Sequence, residues 1–200
     1  MFTKEITGDY QQQIGAKASG QFVPWMGFRR VGGQGDGCFI ALDYLGNWKA
    51  LQFMARRFNS PLLVSGVEDV AKGTVELHVT SDALAATALD LNWWLVRADG
   101  SPVAEGASSL EAKPGANTLV ETLQLSEHLQ AHGARDLLLG MELLREGQTA
   151  SENLVTFARP KHLELLDPGF ETALAQLGEG VFQVTLAAQH PALWAWLEVE

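Results

Sequence analysis

Basic residues are scarce in this chain. Its 14 lysines and arginines stand against 24 aspartates and glutamates, a formal net charge of −10 over 200 residues. Nucleic acid and anionic membranes are bound through clustered Lys and Arg, so this balance argues against both as partners. The pairs Arg29-Arg30 and Arg56-Arg57 read as solvated faces rather than a binding stripe. Cysteine is nearly absent: with Cys38 alone, no intrachain disulfide can form and a four-cysteine zinc site is excluded. No apolar run reaches the ~18 residues that a membrane span needs. Met1-Phe2-Thr3-Lys4-Glu5 lacks the apolar stretch of a secretory leader. The expectation is a soluble, acidic, cytoplasmic protein.

What is present is an ordinary apolar share of 46%, enough for one large or two small packed domains. Residues 1–40 show no sustained period, and Gly32-Gly33-Gln34-Gly35-Asp36-Gly37 lacks the Gly-Lys-Ser/Thr ending of a phosphate loop. They read as irregular chain. From Asn47, a candidate N-cap, Trp48, Leu51, Ala55 and Phe58 recur at helical spacing. That predicts a short amphipathic helix ending before Pro61, which disfavours helical geometry in its predecessor. Its stripe of Trp48, Leu51 and Phe58 needs a surface to pack on.

After Pro61 the period becomes two. Val75, Leu77 and Val79 alternate with Glu76 and His78, and Leu89, Leu91, Trp93 and Leu95 with Asp90, Asn92 and Trp94. Asp99-Gly100, Lys113-Pro114-Gly115 and Glu146-Gly147 punctuate the run as turns. Ser126 to His132 reads as a helical turn capped by Ser126. Six or seven strands between residues 61 and 159 predict an antiparallel sandwich of the immunoglobulin-like kind. Residues 160–169 read as a link. Val181 to Leu186 and Ala192 to Val199 read as strands of a second sandwich that is only partial, with an edge left unpaired. The fold class is therefore mainly β: a short helix, an immunoglobulin-like sandwich, then part of another.

Two motifs carry a family resemblance. Leu42-Asp43-Tyr44-Leu45-Gly46-Asn47-Trp48-Lys49-Ala50-Leu51, with Arg57-Phe58 and Pro61-Leu62-Leu63-Val64-Ser65 after it, resembles the last barrel helix and barrel exit of β-mannosidases in glycoside hydrolase family 2. Ser151-Glu152-Asn153-Leu154-Val155-Thr156-Phe157, then Pro160-Lys161-His162-Leu163-Glu164-Leu165, is similar to that family's passage from one post-barrel sandwich into the next. The resemblance covers residues 40–200 and implies that 41–60 are the close of a barrel. Residues 34–40 depart from the family pattern, in which a Trp-rich strand shapes the sugar pocket.

In such enzymes both catalytic carboxylates lie on barrel strands ahead of the Trp-Lys-Ala-Leu helix, and the resemblance places neither in this chain. Retaining hydrolysis needs two carboxyl groups about 5 Å apart; no acidic residue here matches either motif, Glu152 included. No catalytic residue, metal or cofactor is expected. His128 and His132 have ligand spacing but no third partner. The exposed aromatics remain. Trp93 and Trp94 are strand neighbours, so one faces the core and the other outward; Trp194 and Trp196 share a face. Trp94, Trp194 and Trp196 are candidate surfaces for a sugar or for a neighbouring domain such as a barrel. Two functional readings follow: a non-catalytic accessory region of a β-mannosidase-like hydrolase, or a freestanding sandwich that binds carbohydrate or protein.

Overall fold

The computed structural model describes residues 2–9 and 50–195, and the chain divides into two compact units. The larger unit, Arg57–Pro168 with His190–Leu193, holds seven strands in two antiparallel sheets. β2 (Leu62–Asp69), β3 (Thr74–Ser81) and β6 (Ala116–Gln124) pair in the order β2-β3-β6. β4 (Thr87–Arg97), β5 (Pro102–Ala112), β7 (Leu137–Arg145) and β8 (Gln148–Thr156) pair in the order β5-β4-β7-β8. Hairpins join β2 to β3, β4 to β5 and β7 to β8, while β6 returns to the first sheet. This is the immunoglobulin-like sandwich expected over these residues.

The alternation seen in the sequence is the burial pattern of the strands. Val75, Leu77 and Val79 of β3 face Leu89, Leu91 and Leu95 of β4, with Leu137, Leu139, Met141 and Leu143 of β7 beside them, all buried in one core. Leu138 is buried on the other face of β7, which is why Leu137-Leu138-Leu139 reads as a continuous apolar run rather than an alternating one. The turns follow their chemistry. Glu146 and Gly147 both have positive φ, 53° and 75°, in the two-residue loop between the paired Arg145 and Gln148, as a hairpin twisted with its strands requires. At Asp99-Gly100 only Gly100 takes positive φ, 87°.

Both open sides of the sandwich are closed by side chains. Across the β2–β8 side, Val64 donates its N–H to Ser151 Oγ (3.2 Å), and its carbonyl accepts from Asn153 Nδ2 (2.9 Å). Alternate residues of an antiparallel edge strand turn their backbone groups away from the paired neighbour, and those of Val64 would otherwise be orphaned in the core. Gly66 keeps this side tight: a Cβ there would come within 2.6 Å of Val155 Cγ2. On the other side, Ser108 Oγ of β5 donates to Glu121 Oε2 of β6 at 3.2 Å.

Two helices accompany the strands. α1 (Ala50–Phe58) forms where helical spacing predicts one, and the stretch holding Asn47 and Trp48 lies outside the described residues. α2 (Ser126–His132) corrects one detail: Leu125 occupies the cap position and no side chain caps the helix. Ser126 is drawn into the first turn because Leu125 N–H is bound to Gly73 O (2.7 Å).

The smaller unit contains a three-stranded antiparallel sheet ordered β1-β10-β9, of β1 (Phe2–Asp9), β9 (Glu171–Gly178) and β10 (Val181–Ala188). It changes two expectations. Residues 2–9, read as part of an irregular 1–40 segment, form a strand along the whole of β10; residues 10–40 lie outside the described residues. β10 is thereby the central strand of the sheet, with β1 and β9 as its edges. Residues 192–195 are not a strand: Trp194 sits in a turn with φ of 55°, a conformation no strand tolerates.

Candidate functional site

The outer face of the β5-β4-β7-β8 sheet carries the one expected aromatic that the larger unit presents on a strand. Inward and outward residues alternate along β4, so Trp93 packs against the core and Trp94 turns away from it, 40% exposed. Glycines opposite make room for both indoles. Trp93 is paired with Gly106 of β5, where a Cβ would meet the ring at 2.6 Å. The Trp93 Nε1–H is buried without an acceptor among the described residues. Trp94 is paired with Gly140 of β7, and its Nε1–Cε2–Cζ2 edge leans over that glycine, Cζ2 lying 2.6 Å from where a Cβ would be. Gly140 therefore holds the indole across the sheet rather than upright.

Strand register arranges the neighbours of Trp94 in rows. One row runs Glu105, Trp94, Gly140, Leu154 across β5, β4, β7 and β8; the next runs Ala107, Asn92, Glu142, Glu152. Beyond them Asp90 accepts from Ser109 Oγ at 2.6 Å, and Glu142 accepts from Thr149 Oγ1 at 2.5 Å. Glu152 pairs with Arg57 at 3.4 Å, an exposed pair worth little to stability. The side chains of Asn92 and Glu105 have no hydrogen bond to any described residue. The face is thus an exposed indole bordered by a free amide, a free carboxylate and further acidic groups.

The remaining candidates belong to other elements or lie outside the described residues. Trp194 is 52% exposed and belongs to the smaller unit; Trp196 and Trp48 lie outside the described residues. Leu51 is in α1, but its side chain is outside the described residues, and Phe58 is 41% exposed. His128 and His132 lie on α2, which buries none of its residues. Among the described residues no group of three or more His, Cys, Asp or Glu side chains is arranged to hold a metal ion.

Two polar clusters escaped the sequence reading because their members are distant in sequence. His78 Nδ1 lies 2.8 Å from Asn117 Oδ1 and its Nε2 3.3 Å from Glu76 Oε2, on the outer face of the other sheet. Asp136, the one buried ionisable side chain among the described residues, takes Arg97 Nε–H at 2.7 Å and Ala98 N–H at 3.1 Å. That is the satisfied pairing of a structural carboxylate, tying the start of β7 to the end of β4. Arg97 also reaches Asp99 at 3.2 Å.

The Ser101 hydroxyl and then its backbone N–H hold the Asp99 carboxyl below its ordinary 3.8, with Arg97 contributing. A hydrogen bond from Lys72 does the same for Asp69. A general acid is displaced upward instead. A depressed carboxyl stabilises the fold above its unfolded pKa, an effect lost as pH falls through the folded value. A carbon-detected titration of Asp99 should accordingly give a midpoint below 3.8; a midpoint above it would contradict the turn geometry.

Comparisons with known proteins point one way. The family model of the mannosidase Ig/CBM-like domain matches residues 73–162. Similar curated relatives include β-mannosidase A of Aspergillus niger, 27% identical over 184 residues, and that of Emericella nidulans, 26% identical over 173. Each match covers 80% of this chain and 18% of the relative, so the chain spans about a fifth of their length. Among solved structures, the β-D-mannosidase from Dictyoglomus thermophilum superposes with a TM-score of 0.68 at 16% identity, over 80% of this chain and 19% of that one. At that identity the likeness is one of fold. The resemblance to β-mannosidases read from the motifs at 42–65 and 151–165 is thus matched by similarity to such proteins over 80% of the chain.

Proposed function

From the similarity of this chain to the immunoglobulin-like region of β-mannosidases, we propose that it is a non-catalytic accessory region of a β-mannosidase-like glycoside hydrolase. The observation that carries the reading is the match to the mannosidase Ig/CBM-like domain over residues 73–162, which falls on the sandwich. The chemistry of the described residues supports it. Glycoside hydrolysis requires one carboxyl held protonated beside a second carboxylate. Here the buried carboxylate, Asp136, is committed to Arg97 and a backbone N–H, while Asp69 and Asp99 are exposed and held low. In this role the sandwich supports a barrel supplied by the same or another polypeptide, in an enzyme that removes terminal β-mannose.

The direct check is turnover of an aryl β-mannoside by the purified chain. The expected result is release of the phenol at the rate of the buffer blank. Measurable release that disappears when one acidic residue of the chain is changed to its amide would overturn the proposal.

A further inference from the structure

A scaffold needs only the inward face of each sheet, yet the outer face around Trp94 is organised beyond that need. An exposed tryptophan on a strand is free to stand up into solvent, where its position is undefined. Trp94 is instead laid over Gly140, the residue opposite it, at a place where any larger residue would push it off. Around it stand groups with hydrogen-bonding capacity left over: the Asn92 amide two residues back on the same face, and the Glu105 carboxylate directly across on β5. Strands lie about 4.8 Å apart and same-face residues along a strand about 6.7 Å apart. The indole leans to the β7 side, so a six-membered sugar ring set on it has the Asn92 amide beside it on β4, while Glu105 stands on the opposite, β5 flank.

We propose that this face, centred on Trp94, binds a neutral hexopyranose. The apolar C–H face of the ring covers the exposed indole, an aromatic surface with apolar area to bury. Asn92 both donates and accepts, matching the two roles a hydroxyl plays, and Glu105 adds negative charge on the β5 flank. Charge selects the class of sugar. Glu105, Glu142, Glu152 and Asp90 share the face, and Arg57 is paired with Glu152 at one end of it. Neutral sugars are accepted there, and uronates are repelled. Binding at this face goes beyond the accessory role, which stands whether or not a sugar is held.

The test is a titration of the full chain with β-1,4-mannotriose and with cellotriose, to about 10 mM because single-platform sites bind near millimolar. It is followed on the indole N–H resonance of Trp94, identified by its loss in Trp94→Phe. At least one of the two sugars should shift that resonance saturably, whereas trigalacturonate at the same concentration should leave it in place. Asn92→Ala should weaken binding about three- to tenfold, the effect of one hydrogen bond. Trp94→Ala should weaken it more than about tenfold. If Trp94→Ala fails to fold, Asn92→Ala decides, because it leaves the indole in place. The proposal falls if neither neutral sugar moves the resonance, if trigalacturonate binds as well as they do, or if folded Trp94→Ala or Asn92→Ala binds like the unaltered chain.

Discussion

Leu139→Ala is expected to destabilise the larger unit by about 2–5 kcal/mol, the range for emptying a fully buried leucine site. Leu139 lies on β7 between Leu95 of β4 and Val155 of β8, and all three are buried. Its loss removes apolar area and leaves a void that two-sided strand packing cannot collapse into. Each kcal/mol moves the melting temperature of a domain this size by about 4–8 °C, so a fall on the order of 10 °C or more is expected. The denaturant midpoint should drop at unchanged slope. Leu119→Ala is the matched control: the same change on β6, at a residue 51% exposed, should stay within about 0.5 kcal/mol. Equal losses at the two positions would mean that the core is not seated on β7.

Ser151→Ala is the second large effect, and it reads out at another residue. Ser151 is the acceptor for the buried N–H of Val64, and an unpaired buried donor costs about 1–3 kcal/mol. The Val64 amide should then exchange with solvent far faster than in the unaltered chain, relative to its neighbours on β3. Asn153→Ala should destabilise by a similar amount through the Val64 carbonyl it serves, yet leave that amide more protected than Ser151→Ala does. Because both bonds converge on one residue, the double variant should cost less or more than the sum of the singles, by a measurable coupling. A Val64 amide that exchanges as slowly in Ser151→Ala as before would show that β2 is held by some other means.

Ser151 and Asn153 illustrate where sequence reading stops. They sit in a stretch that reads as a strand, and β8 is one; that they clamp a residue 87 and 89 positions away is visible only once β2 and β8 are side by side. The same holds for Trp93 and Trp94. Strand alternation requires one to face inward and one outward, but Gly106 and Gly140 receive their indoles through register, which no local pattern encodes. β9 was not legible at all. Every residue of Glu171–Gly178 is exposed, so no buried face leaves its period in the sequence. β1 likewise shows little by itself, and its strand depends on the backbone of β10 beside it.

Sequence alone determined the class of fold and the order of its strands between Pro61 and Thr156. A side-chain period of two and glycines at positive φ are local consequences of backbone geometry, and they are written residue by residue. The motifs at 42–65 and 151–165 were enough to indicate the resemblance to β-mannosidases. Which indole meets solvent, which backbone groups of the edge strand find partners, and what surrounds Trp94 were decided by tertiary structure. Those outcomes depend on distances between residues brought together by pairing and packing, and such distances exist only after the two sheets have closed on one another.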